Sequence, residues 1–306
     1  MIEKITLKAN GDGVTQLTIA SCKHNLTGVN DRQMTAKSGP IYIGVGGWTF
    51  EPWRGLFYPE GLPHAKELAY AAERLTSIEI NGTFYRTQTP ATFRKWANEV
   101  PNGFKFSLKG PRFATNRRVL KEAGDSVKRF LDSGIAELGD RLGPLLWQFA
   151  PTKKFDPADF GGFLELLPAK FEGQKLYHVI EVRHDSFRSP EFIALLRQFD
   201  MPVVYTDHVK YPNIADATGT FVYARLQRGK DTIQTAYPPI EIKAWAARLR
   251  EMAEGKEPAD LPHVASPAKR KPEPREVFAY VIHEGKIRAP AGAMALIEAV
   301  AEKMRA

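Results

Sequence analysis

YHVIEVRHDSFRSPEFIALLRQFDMPVVYTD, residues 177–207, is the stretch whose reading decides the fold. Tyr177–Arg183 is an apolar run of strand length that ends in charge. Pro190–Phe199 carries apolar residues at helical spacing, and Val203–Asp207 is a second apolar run that again ends in charge. Strand, helix and strand in that order make a βαβ unit, which sets its two strands parallel. The rhythm extends in both directions. Strands are predicted at Ile41–Gly46, Ser77–Asn81, Phe104–Lys109, Leu145–Phe149, Phe221–Gln227 and Phe278–His283 as well. Helical patterns lie between or after them at His64–Leu75, Pro90–Val100, Ala123–Leu138, Ala158–Leu167, Ile240–Ala253 and Ala291–Met304. Eight such units predict an α/β fold, a closed (β/α)8 TIM-like barrel. The alternative is an open doubly wound sheet. Its usual Gly-rich first turn is missing, because Gly44, Gly46 and Gly47 do not form GxGxxG.

Two segments stand outside this rhythm. Residues 1–39 read as a polar extension with one alternating stretch, Val14–Ala20, and are expected to be peripheral to a barrel spanning 40–306. Gly255–Arg275 holds five prolines and the basic run Lys269-Arg270-Lys271, and is expected to be an exposed, mobile loop.

Composition narrows the function classes. The hydrophobic fraction is 43% and the charged fraction 25%, as in ordinary globular domains. Cys22 is the only cysteine, so no disulfide forms within the chain and no zinc site can be built on several thiolates. There is no apolar run of membrane-spanning length, and MIEKITLKANGDG lacks the apolar core of a secretory signal, so a cytoplasmic location and no membrane partner are expected. Net charge of +8 favours anionic partners, a small molecule or nucleic acid.

Catalytic groups of such barrels sit where strands end and the following loops begin. The strand ends carry Glu79 and Asn81, then Lys109 with Arg112, Gln148, Glu181 and Arg183 followed by His184, Asp207-His208, Tyr223 with Arg225 and Gln227, and His283. A buried Glu or Arg is costly unless paired, so a charge at nearly every strand end implies convergence on one opening. Glu79, Glu181 and Asp207 are the candidate catalytic carboxylates. Lys109, Arg183 and Arg225 are the candidate anion holders, with Asn81, Arg112, Gln148, His184, Tyr223 and Trp48 as further substrate-binding candidates. Plainer structural readings stand beside these. Glu181 with Arg183 can be a structural ion pair, Asn81 a turn residue, and Gln148 a partner for backbone groups. Lys109–Arg112 can be a solvated loop, and His184, His208 and His283 can be packing histidines. Trp48, with Phe50, Trp53 and Tyr58, can form a lid on the barrel or an aromatic platform for a sugar or base. No compact metal-ligand motif such as HExxH is present, which leaves metal and cofactor open.

Several of these residues also carry a resemblance. GVGGWTFEPWRGLFYPEGLP (44–63), EINGTFYR (79–86), FKFSLKGPR (104–112), PLLWQFAP (144–151), EVRHDSF (181–187) and FVYARLQRG (221–229) resemble the YecE-like family, domain of unknown function 72. The resemblance runs from about Ile41 to the end of the chain. It implies a (β/α)8 barrel and no established activity. Two departures accompany it. The family's first motif usually reads GTSGW where this chain has Val45 and Gly46, and its eighth strand often ends in paired asparagines where this chain has Tyr280-Val281-Ile282-His283.

Two functional expectations follow. One is an enzyme, a hydrolase or lyase acting on a phosphorylated or otherwise anionic substrate by carboxylate acid–base chemistry, with a metal-dependent phosphodiesterase as a variant. The other is a non-catalytic nucleic-acid-binding barrel.

Overall fold

All eight expected strands are present in the computed structural model, which describes residues 38–267, 272–282 and 286–302. They are β1 (Ile41–Gly46), β2 (Ser77–Ile80), β3 (Lys105–Lys109), β4 (Leu142–Gln148), β5 (His178–Glu181), β6 (Val204–Thr206), β7 (Phe221–Leu226) and β8 (Glu276–Val281). All pair in parallel, in the order β5-β4-β3-β2-β1-β8-β7-β6. The two ends of this sheet meet through one parallel bridge, Ile180 with Val203, where the Ile180 N–H donates to the Pro202 carbonyl at 3.0 Å. The result is a nearly closed barrel and not an open sheet.

The helices begin where local chemistry starts them. Pro90–Glu99, Pro157–Glu165 and Pro190–Gln198 each open on a proline. Each is preceded by a capping residue, Thr89, Asp156 or Ser189, whose side chain accepts from a first-turn N–H. Helix Pro239–Ala253 packs against Ala289–Glu302 outside β1 and β8. No helix among the described residues is long and apolar enough to cross a membrane.

Alternation along each strand separates two interiors. Outward residues such as Phe106, Leu108, Leu145 and Ile180 join the apolar layer under the helices. Inward residues fill the barrel in tiers. At the base Tyr42 stacks on Phe278 at 4.9 Å, and Phe221 meets Phe278 and Tyr177 edge-on. The next tier pairs small with large: the Ser77 hydroxyl lies 2.7 Å from the Tyr280 hydroxyl, and that of Ser107 lies 2.9 Å from the Tyr223 hydroxyl. Serine at these two positions leaves room for two tyrosine rings in a barrel of fixed width. The charged strand ends rest on this tier.

Four expectations need correction. β4 starts at Leu142 and not Leu145, so that Gly143-Pro144, a pair with local turn propensity, is strand here; a Cβ on Gly143 would lie 3.0 Å from the Phe106 carbonyl oxygen. The helix expected over Ala123–Leu138 stops at Leu131, and a tighter, bent helical stretch, Ile135–Arg141, follows Gly134, whose φ is +96°. A small antiparallel ribbon, Lys170–Phe171 with Gln174–Lys175, went unread. It turns on Glu172 and Gly173, both at positive φ. Finally, the described part of the proline-rich loop is tied down. The Asp216 carboxylate accepts from the Val264 and Ala265 N–H groups at 2.8 Å each, Glu257 accepts from the Ala217 N–H at 2.9 Å, and Leu261 is buried. Proline density there reflects a folded surface segment. The basic run 269–271, His283 and the extension up to residue 37 lie outside the described residues.

Candidate functional site

Glu79, Glu181 and Arg225 form the floor of the barrel's C-terminal mouth. Glu79 lies two residues beyond Ser77 and Arg225 two beyond Tyr223, so both point inward above the hydroxyl tier. Arg225 donates to Glu79 through two nitrogens, each at 3.0 Å, and through a third to Glu181 at 2.7 Å. The Tyr223 hydroxyl donates to Glu79 at 2.7 Å. Strand register sets Gln148 directly beside Glu181, and its amide donates to both carboxylate oxygens at 2.9 Å. Arg183 adds a donor to Glu181 at 2.9 Å. The Glu–Arg–Glu unit is almost entirely buried, yet each charge is met by hydrogen bonds.

These contacts set the protonation states. Burial by itself would raise the Glu181 pKa, but Arg225, Arg183, Lys109 and the Gln148 amide together pull it down to about 2. Glu181 is therefore a fixed anion with its oxygens occupied, which argues against the acid–base role expected for it. Arg225 stays charged. Burial disfavours its cation, and Glu181 and Glu79 more than restore it. Lys109 differs from its neighbours. Its ammonium lies 4.2 Å from the centre of the Phe84 ring, and among the described residues no carboxylate is within ion-pair distance. Burial, reinforced by repulsion from Arg225 and Arg183, lowers its pKa to about 8 despite the two glutamates.

Above this floor the mouth opens into a cavity of about 820 Å3. Arg183, Lys210, Arg225, Arg228, Lys230 and Lys286 supply six cationic side chains to its wall, and no carboxylate among the described residues lines it. Lys210, Arg228, Lys230 and Lys286 make no ion pair with a described residue. Asn81 lines the wall with an amide that makes no side-chain hydrogen bond among the described residues. On the other side Tyr211 stacks on His208 at 4.2 Å and sits 4.5 Å beneath the Arg183 guanidinium. Burial and the nearby cations Arg183 and Lys210 lower the His208 pKa, so its ring is neutral and Nδ1 accepts from the Lys210 N–H at 3.0 Å. The two departures from the family's pattern meet here, since a Cβ on Gly46 would lie 3.1 Å from the Asn81 amide nitrogen and 3.4 Å from Ile282.

The remaining candidates fall elsewhere. Asp207 is engaged by three donors, the Gln227 and Arg228 N–H groups and the Tyr237 hydroxyl, so it fixes the loop after β7 and does not line the mouth. Its pKa is raised by burial, which the hydrogen bonds only partly offset. His184 caps the short turn Asp185–Phe187 by accepting from the Ser186 N–H at 3.1 Å. Trp48 turns to the helical layer, edge-on to Trp96 at 5.2 Å and near outward-facing Phe106. Arg112 is exposed and lies 5.5 Å from the Phe113 ring. Lys210, Arg228, Lys230 and Lys286 were not anticipated, because a reading that stops at strand ends passes over the loops. For Arg228 and Lys230 a signal was present in QRGK (227–230), which directly follows β7. Among the described residues, no group of three or more His, Cys, Asp or Glu side chains is placed to hold a metal ion.

Comparison with known proteins agrees with this architecture. The chain is 21% identical to a DUF72 family protein of Thermotoga maritima MSB8, with a TM-score of 0.62, covering 87% of this chain and 100% of that one. A DUF72 family protein of Enterococcus faecalis V583 superimposes with a TM-score of 0.62 at 15% identity, over 87% of this chain and 99% of that one. At this identity both show the fold alone. The UPF0759 protein YunF of Bacillus subtilis strain 168 is 27% identical over 116 residues, a match that spans 36% of this chain and 40% of that relative. The model of the family described as "Protein of unknown function DUF72" matches residues 42–306, and the chain belongs to that family.

Proposed function

We propose that the mouth binds an anionic substrate bearing a phosphate group, a phosphorylated compound or nucleic acid, and that the protein is an enzyme of the hydrolase or lyase class. The observation that carries this reading is the imbalance of charge: six cations on one wall, four of them without an ion pair, and no facing carboxylate among the described residues. Holding such a set together costs free energy that a bound anion offsets. At the floor three cations, Arg225, Arg183 and Lys109, face two carboxylates, Glu79 and Glu181, so that layer also retains positive charge.

In this reading the carboxylates do not move protons. Glu79 and Glu181 hold Arg225 and Arg183 in place, and Lys109 is the proton carrier. A pKa of about 8 puts its two protonation states in reach near neutral pH. An entering phosphate favours the charged form, which then gives its proton to the leaving oxygen as water attacks phosphorus and the bond to that oxygen breaks; the proton lost by the attacking water restores the lysine ammonium. We place this activity in the cytosol, a reading that rests on the lone cysteine.

Two measurements test the proposal. Calorimetric titration with inorganic pyrophosphate should show binding that weakens in Lys230→Ala. Hydrolysis of bis-p-nitrophenyl phosphate should fall by roughly 10²- to 10⁴-fold in Lys109→Met, with pyrophosphate binding weakened far less than turnover. A second reading, a binding barrel without turnover, is favoured by the full engagement of both buried carboxylates by protein donors. Pyrophosphate binding with no hydrolysis by the parent protein would select it.

A further inference from the structure

Tyr85 ends the short helix Gly82–Tyr85 and lines two adjoining cavities. One is the basic mouth, and the other is a cleft of about 280 Å3 between that helix, the turn at Pro111 and helix Gly124–Leu131. Phe113 lines the cleft from the opposite direction. Large apolar side chains rarely stand in water without a reason when they gather in one place. Five of them are exposed among the described residues, and three, Tyr85 (63%), Phe113 (62%) and Val209 (79%), line these two cavities. The Tyr85 and Phe113 rings do not stack on each other, and the Arg112 guanidinium lies 5.5 Å over the Phe113 ring.

The Tyr85 ring is braced. Tyr85 packs edge-on against Phe84 at 5.1 Å, and Phe84 lies under the Lys109 ammonium. The helix itself is pinned, because the Thr83 hydroxyl lies 2.7 Å from the Lys109 carbonyl and 3.1 Å from that of Ile80. A ring held this way loses little entropy when something stacks on it. Charge in the cleft repeats that of the mouth. Arg86 and Arg129 line it without an ion pair among the described residues, and no carboxylate lines it.

Planar apolar faces interleaved with guanidinium groups, continuous with a cationic trough, match one ligand chemistry: aromatic bases strung on a phosphate backbone. We infer that the cleft is a base-stacking subsite and that the combined surface takes a single-stranded polynucleotide, with phosphates in the mouth and a base stacked on Tyr85 or Phe113. A duplex does not satisfy this surface, since its bases are stacked on each other and the rings lie in a recess. A small phosphorylated metabolite would leave the cleft empty. The inference rests on the anion-binding reading of the mouth and names the substrate class for it.

The test uses the full chain, a fluorescein-labelled nine-nucleotide oligo-dT strand, the same strand annealed to its complement, and inorganic pyrophosphate. The single strand should bind more tightly than the duplex. Tyr85→Ala and Phe113→Ala, both at exposed positions, should each weaken strand binding roughly 5- to 100-fold; Phe113→Ala, which lines the cleft and not the mouth, should leave pyrophosphate affinity and the salt slope unchanged. Tyr85→Phe should retain binding. Lys230→Ala should weaken both ligands and flatten the salt slope. Pyrophosphate binding with strand affinity indifferent to both ring substitutions would overturn the stacking subsite and leave the anion site standing. Equal affinity for strand and duplex would overturn it as well. Failure of the parent protein to bind either pyrophosphate or strand would remove the reading of the mouth itself.

Discussion

Arg225 is the residue on which the floor depends. It reaches two carboxylates with three nitrogens, and it is 3% exposed. Removing one partner of a buried charge network leaves the others desolvated and unpaired, which costs more than the network contributes when intact. Arg225→Ala is therefore expected to lower stability by about 3–5 kcal/mol, read as a shift in the urea midpoint. The triple change Arg225→Met with Glu79→Gln and Glu181→Gln should recover much of that loss, because it removes the stranded charges together. A triple variant no more stable than Arg225→Ala would mean that the network acts through shape and not through charge. The same reasoning explains why an arginine that reads as an anion holder in isolation is largely committed to its own protein. The loop lysines above it, which make no ion pair with a described residue, are the freer cations.

At the scale of elements, the barrel's weakest seam is between β5 and β6. Every other neighbouring pair shares a ladder, whereas these two share a single bridge, Ile180 with Val203. Pro202 contributes a carbonyl to it and has no N–H to give. The Val203 N–H is satisfied across the seam's other side by the Thr218 hydroxyl at 3.0 Å, and Thr218 is buried. Replacing that hydroxyl strands a buried donor, so Thr218→Ala should cost about 1–3 kcal/mol. Hydrogen exchange should show β6 amides losing protection before those of β1 and β8, where the ladder runs from Ile41 to Val45. Uniform loss of protection around the barrel would contradict a localised seam. This site matters to function because Asp207 and the basic loop that follows β6 hang from that strand.

At the scale of the whole molecule, buried titratable groups set the pH range of stability. His178 accepts from the Trp147 indole N–H at 3.0 Å, and its other nitrogen is 2.9 Å from the Pro168 carbonyl. Burial holds the ring neutral and lowers its pKa to about 4, an effect that the Pro168 contact only partly offsets. The unfolded chain, with a histidine near 6.5, then binds more protons than the folded one between pH 6.5 and 4, so stability falls as pH falls through that window. The loss is on the order of 3 kcal/mol. Glu181 adds a second decline from about pH 4.5 toward 2, because its carboxylate is favoured by the fold. Asp207, raised by burial, acts in the opposite sense. Lys109 is protonated in both states below pH 8, so it does not shape the acid limb. Urea midpoints measured from pH 7 to pH 4 should decline in the parent protein and decline less in His178→Gln. An unchanged slope in that variant would assign the acid limb to other groups.

The sequence by itself determined the βαβ rhythm, the barrel and the inward charges at the strand ends, because those follow from periods of two and 3.6 residues that are written locally. It also held the motifs that mark the family. It could not tell which charges were already spent. Glu79 and Arg225 are 146 positions apart, and whether they touch depends on barrel width, register and rotamer together. So the same reading that placed Glu181 at the mouth could not see the donors from Arg225, Gln148 and Arg183 that occupy it. It gave Asp207 a catalytic place where the fold uses it to hold a loop. The expected strand began at Leu145, because Gly-Pro carries local turn chemistry, and only the neighbouring strand's backbone extends β4 back to Leu142. Arg183 and Arg225 at the mouth were legible at the strand ends, whereas the loop cations Lys210 and Lys286 and the Tyr85–Phe113 cleft were decided by the tertiary structure. Loop side chains have no period, and their convergence is set by the scaffold that closes beneath them.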